Sequence, residues 1–162
     1  MLDVHGGYLE GEIRDCIFEG NASEMGGTIQ IDETVLDSLT FADSTFRGNT
    51  VENWGGTAMQ LDAPGVVVLD NVVVEDNTGA QGGAIWLADD DLTVTMNGGA
   101  VASNTGTDTG GVRVDAGTFE SVAVDWGTGD TDNTPNDVLR CDENFGAAAS
   151  FIATADGCVS LP

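Results

Sequence analysis

An all-β solenoid, a right-handed parallel β-helix of about five coils, is the fold this sequence predicts, and three observations predict it. Asparagines recur at Asn21, Asn49, Asn77 and Asn104, at intervals of 28, 28 and 27 residues. Each stands three positions after an apolar residue (Phe18, Phe46, Val74, Val101) and five or six before a glycine pair (Gly26-Gly27, Gly55-Gly56, Gly82-Gly83, Gly110-Gly111). No segment shows the apolar period of 3.6 that an amphipathic helix needs. A fixed period of this length marks stacked supersecondary units, each burying its apolar face on the next.

The elements follow from aligning the units on their asparagines. Ten and eight residues before the asparagine stand Leu39 and Phe41, Val67 and Leu69, Val94 and Met96, with Gly11 and Ile13 in the first unit. That alternation predicts a half-buried strand. A second strand passes through the Phe18 position and ends at the asparagine. A third follows each glycine pair, over 28–31, 57–61, 84–87 and 112–114. Three short strands in about 28 residues make one coil, and equivalent strands of successive coils pair at about 4.8 Å. The asparagine amides then hydrogen-bond to one another along the stack at a tight bend. The glycines serve another bend, where φ is positive or backbones approach closely. Variable stretches 32–38, 62–65 and 89–91 fall at one corner.

The repeats occupy residues 1–115. After Val124 the period fails in a polar loop, so 116–162 reads as the last coil plus a carboxyl-terminal cap that hides the final core layer. Phe145, the alanines at 147–149, Phe151 and Ile152 would form the lid. At the other end Gly6-Gly7 stands where a repeat is already under way. The amino end therefore reads as a cut inside a longer protein or a lost capping segment, and the chain as a single domain.

Composition narrows the partners. The chain carries 28 Asp and Glu against four arginines (Arg14, Arg47, Arg113, Arg140) and no lysine, a net charge of −24. Such a surface repels nucleic acid and anionic lipid. No apolar run approaches the roughly 18–20 residues that span a bilayer, and residues 1–5 lack the basic and apolar regions of a signal peptide. Three explanations of the acidity stand side by side. One is solubility of an exposed strand stack; another is a saline habitat, where the Debye length falls to about 3 Å near 1 M salt; the third is calcium binding.

Of three cysteines, Cys16 shares a small inward slot with Ser44, Val72 and Gly99, which predicts a buried free thiol. Cys141 and Cys158 flank the last segment, 17 residues apart. A bridge there would contribute about 3 kcal/mol and points to an extracytoplasmic address.

The repeat motifs, Gly82-Gly83-Ala84-Ile85 and the Phe-x-x-Asn of 18–21 and 46–49, resemble those of polymorphic outer-membrane proteins and kindred surface β-helix proteins. The overall shape resembles the pectate-lyase-like superfamily. The likeness covers about residues 6–115, with Val replacing Phe in the third and fourth units, and the stretch 125–138 looks like the closing segment of large secreted bacterial β-helix proteins. It implies an extracellular or outer-membrane-associated surface protein. Enzymes of that shape use basic residues beside calcium-holding carboxylates, or several acids with a histidine and a lysine. Here lysine is absent, Arg14 and Arg47 occupy different repeat positions, and the single histidine, His5, lies at a frayed end and reads as solvent-exposed. No catalytic residue is assigned.

Other candidate sites are fewer. The loop residues Asp125, Asp130, Asp132, Asn133 and Asp137 offer closely spaced oxygens for calcium, or simply an Asx-turn-rich loop; no cofactor is otherwise required. Asp89-Asp90-Asp91 reads as a solvated turn. Trp86 should point outward by alternation, and Trp54 precedes a glycine pair at a bend. Both suit sugar contact or packing under a neighbouring loop. Asn21-Ala22-Ser23 matches a glycosylation sequon, but a buried ladder position makes it a chance match. Two functional readings result. One is a non-catalytic secreted or cell-surface module, a rigid spacer or adhesion surface for a glycan or protein. The alternative is the carboxyl-terminal part of a polysaccharide lyase or glycoside hydrolase whose site lies outside this chain.

Overall fold

The computed structural model describes residues 2–79, 81–139, 141, 145–146 and 148–161. It is a parallel β-solenoid of about four turns. The first coil comprises β1 (Leu2–His5), β2 (Tyr8–Arg14), β3 (Ile17–Glu19) and β4 (Ala22–Met25); the second β5 (Ile29–Asp32), β6 (Val35–Ala42), β7 (Thr45–Arg47) and β8 (Thr50–Trp54). The third has β9 (Met59–Asp62), β10 (Gly65–Asp70), β11 (Val73–Glu75) and β12 (Thr78–Gly79), and the fourth β13 (Ile85–Leu87), β14 (Leu92–Asn97) and β15 (Ala100–Ala102). β16 (Val112–Val114) and β17 (Thr118–Val124) begin a fifth, and the hairpin β18 (Ala149–Thr154) and β19 (Gly157–Ser160) follows.

Equivalent strands stack in register. Leu39, Val67, Val94 and Phe119 form one inward column, Ile29, Met59, Ile85 and Val112 another. Both columns are buried. Phe18 and Phe46 stack face to face with centroids 4.4 Å apart, and Val74 and Val101 continue that column.

The first three coils have four strands each rather than three. The residue before each asparagine is left-handed: Gly20, Gly48, Asp76 and Ser103 have φ between 57° and 64°, or 55° for Asp76. One residue in that region turns the chain sharply, so the asparagine starts a new direction instead of ending a strand. The chain beyond it pairs as β4, β8 and β12.

The coil count also differs from the expected five, because only two strands of the last coil join the regular sheets. The coil's path nevertheless continues through single bridges, Ala100 to Asp125, Thr105 to Thr134 and Val112 to Val138. Trp126, fully buried, lies in line with Val101, and Phe119, Phe145 and Phe151 pack around it. Against β17 lies β18, antiparallel, so the repeating parallel edge ends there. Phe145 and Phe151 stack at 4.0 Å as the lid. Ile152 is half-buried. Ala147, also expected in the lid, lies outside the described residues, as does Arg140.

Cys16 departs from expectation. It is free and half-buried, because its coil is the outermost and the slot covers it from one side only, where Ser44 Oγ accepts from its backbone N–H.

Candidate functional site

The ladder is built identically at every rung. Asn49 Oδ1 accepts from the backbone N–H of Asn21 (3.0 Å) and from its Nδ2 (2.9 Å). Asn77 does the same for Asn49, and Asn104 for Asn77. The second N–H of each interior amide donates to a carbonyl of the preceding coil, of Phe18, Phe46 and Val74 in turn. Asn49, Asn77 and Asn104 are buried; Asn21, on the outermost coil, is half-buried.

A fifth rung was missed in the sequence. Asn133 Oδ1 accepts from Asn104 at 3.1 and 3.0 Å, and its own Nδ2 donates to the Val101 carbonyl. It stands 29 residues after Asn104, but seven rather than three after its apolar partner Trp126. A short 3-10 turn at Gly129–Thr131 takes up the difference. The spacing from Asn104 was the available signal; the inserted turn concealed it.

The ladder ends on a carboxylate. Asn133 Nδ2 also donates to Asp137 Oδ1 at 2.7 Å, and Asp137 Oδ2 accepts the Phe145 N–H at 2.8 Å. Asp137 thus ties the last rung to the lid. Burial raises its pKa to about 6, the neighbouring Asp132 charge adds to the rise, and the two donors oppose it.

The five calcium candidates therefore divide. Asn133 and Asp137 are buried and engaged in the ladder. Asp125 and Asp130 are exposed, and Asp125 Oδ1 accepts the Gly127 N–H as an Asx turn does. Asp132 is half-buried, with one carboxylate oxygen enclosed and unpartnered. Among the described residues no group of three or more His, Cys, Asp or Glu is arranged to hold a metal. Cys141 and Cys158 are bridged, with Cα atoms 5.4 Å apart, and fasten β19 to the segment after Val138.

The tryptophans lie on the outside of the sheet formed by β1, β5, β9, β13 and β16. Its outward column reads Asp3, Gln30, Gln60, Trp86, Arg113. Trp86 points outward as alternation predicts, yet it is only 4% exposed. Trp54 meets its ring edge-to-face at 4.3 Å, and the Arg113 guanidinium lies 5.3 Å from its centroid. Asp115 accepts from both Trp86 Nε1 (3.0 Å) and Arg113 Nε (2.8 Å). Trp86 is thus packed under its neighbours, and Trp54 carries the exposed aromatic surface, 44% accessible.

The described arginines are all in ion pairs: Arg14 with Glu12 and Asp43, Arg47 with Glu19, Arg113 with Asp108 and Asp115. His5 is exposed, 3.9 Å from Asp32 and from Glu33. Compared with protein-family models, curated proteins and solved structures, the chain matches none.

Proposed function

We propose that this chain is a non-catalytic β-solenoid module of a secreted or cell-surface protein, a rigid spacer that also presents a binding face. The observation that carries the reading is the uninterrupted amide ladder. Five asparagines and a terminal aspartate link every coil to the lid through buried hydrogen bonds. Such a column resists bending and slippage of coils, because each rung displaced strands buried polar groups. The Cys141–Cys158 bridge favours an oxidising compartment, and the repeat motifs favour kinship with surface β-helix proteins of the outer-membrane and pectate-lyase-like kinds. The pairing of each described arginine with carboxylates supports the non-catalytic reading, since a proton-abstracting arginine must be free of such partners.

The reading is tested by incubating the purified chain with a panel of neutral and acidic polysaccharides and measuring unsaturated and reducing ends. No release above buffer is expected. Turnover that follows the chain through purification and is lost when the chain is unfolded would replace the module with an enzyme. In parallel, donor and acceptor dyes at the two ends should report one narrow distance distribution; a broad one would remove the spacer role.

A further inference from the structure

We infer that Trp54 and Gln60 form a binding subsite for neutral carbohydrate, an inference that rests on the binding-face part of the module reading. Gln60 is 3% exposed, and its Oε1 is enclosed with no hydrogen-bond partner. An amide oxygen so placed normally has a partner, and leaving it unmade carries the group's desolvation cost. The oxygen lies over Gly55, the residue after Trp54: a Cβ there would stand 2.8 Å from it. The glycine therefore makes room for the amide one residue along the chain from Trp54, whose ring rests on Trp86, the register partner of Gln60. The terminal amide torsion is a broad and soft coordinate, so a ligand hydroxyl that reached the amide could be met by the unused acceptor at little torsional cost.

The surroundings define the ligand. Trp54 is held edge-on by Trp86, which Asp115 and Arg113 fix in turn. An exposed, pre-oriented indole presents a flat apolar face, and the C–H face of a pyranose matches it while the sugar's hydroxyls reach an amide acceptor. Gln30, one coil earlier in the same column, repeats the amide beside Gly26. Successive sugars of a chain laid along the solenoid axis would meet successive amides. The net charge of −24 and the pairing of Arg113 with Asp108 and Asp115 disfavour a uronate polymer. The ligand class is a neutral oligosaccharide.

The test is tryptophan fluorescence and chemical-shift titration of the intact chain with cellohexaose, mannohexaose and chitohexaose, with oligogalacturonate and a lysine-rich peptide alongside. At least one neutral hexamer should bind. Trp54→Ala should weaken it about tenfold, as loss of a stacking platform does, without lowering the melting temperature beyond a few degrees. Gln60→Leu should weaken binding while raising the melting temperature, because it removes the unpartnered oxygen and keeps the volume. A purely structural Gln60 would not give those opposite signs. The subsite is overturned by no response to any neutral hexamer, by equal affinity in Trp54→Ala, or by tighter binding of oligogalacturonate or of the peptide. Those failures leave the spacer role standing, whereas polysaccharide turnover would sink the module reading whether or not the subsite binds.

Discussion

Asn77 occupies the middle of the ladder and serves three partners at once: it accepts from the backbone and side chain of Asn49, donates to Asn104, and donates to the Phe46 carbonyl. Asn77→Leu fills the space but strands those groups, and should cost about 1–3 kcal/mol in urea unfolding. The same change at half-buried Asn21 should cost less, since water reaches the orphaned groups. The left-handed corners give a substitution of opposite sign. Asp15, Asp43 and Asn71 have φ near 50°, and Ala123 adopts 54° in β17. Alanine has neither glycine's freedom nor the polar side chain that eases Asp and Asn into this region. Ala123→Gly should therefore stabilise by about 0.5–1 kcal/mol net of the glycine's unfolded-state entropy, read as a higher denaturation midpoint at unchanged slope. Asp137 sets a pH dependence. Its folded pKa, about 6, lies above the ordinary value of 3.8. The group binds its proton more tightly in the folded chain, so its contribution is fully present below about pH 4 and is lost as pH rises through 6. Melting curves between pH 4 and 7 should show the wild type losing stability relative to Asp137→Asn across that window; parallel curves would show that Asp137 does not titrate there.

At the scale of the element, the sequence disclosed what repeats and hid what is inserted or local. Columns such as Leu39, Val67 and Val94 were legible because stacking demands the same residue class at the same offset in every coil. The fourth strand was not, because its signal is one left-handed residue per coil, filled variously by Gly48, Asp76 and Ser103. Asn133 reads as a loop oxygen in the sequence because the extra turn separates it from Trp126. Trp86 was placed on the correct side, but alternation is a one-strand rule; its burial comes from Trp54 and Arg113, on other strands. The cap was legible as to its bridge, since two cysteines flanking an aperiodic tail left few pairings. Replacing Cys141 and Cys158 together by Ser should lower stability by about 3 kcal/mol. In native, unreduced protein, alkylation followed by intact-mass analysis should modify at most Cys16; a label on Cys141 would refute the bridge.

Across the whole molecule the outstanding property is charge. Asp32 and Asp62 are register partners at one corner, and Asp62 has its pKa raised by burial first and then by the charges of Asp32 and Asp89. Stacking brings acidic residues that share a corner position, such as Asp32 and Asp62, to strand spacing, close enough for mutual repulsion inside one Debye length at physiological salt. Sodium chloride should therefore raise the melting temperature smoothly, by screening exposed carboxylates wherever they lie. Calcium would act differently. If Asp125, Asp130 and Asp132 gathered around an ion, millimolar calcium would stabilise beyond sodium at equal ionic strength, by mass action on the folded state. Asp132→Asn would then abolish that excess and leave the sodium response intact. The arrangement favours the sodium effect, because the ladder already engages Asn133 and Asp137, and calcium requires six to eight oxygens. Melting series in matched sodium and calcium chlorides, on wild type and Asp132→Asn, decide between them. An excess calcium increment that Asp132→Asn removes would make the closing loop a metal site, and the acidity of the chain in part a means of filling it.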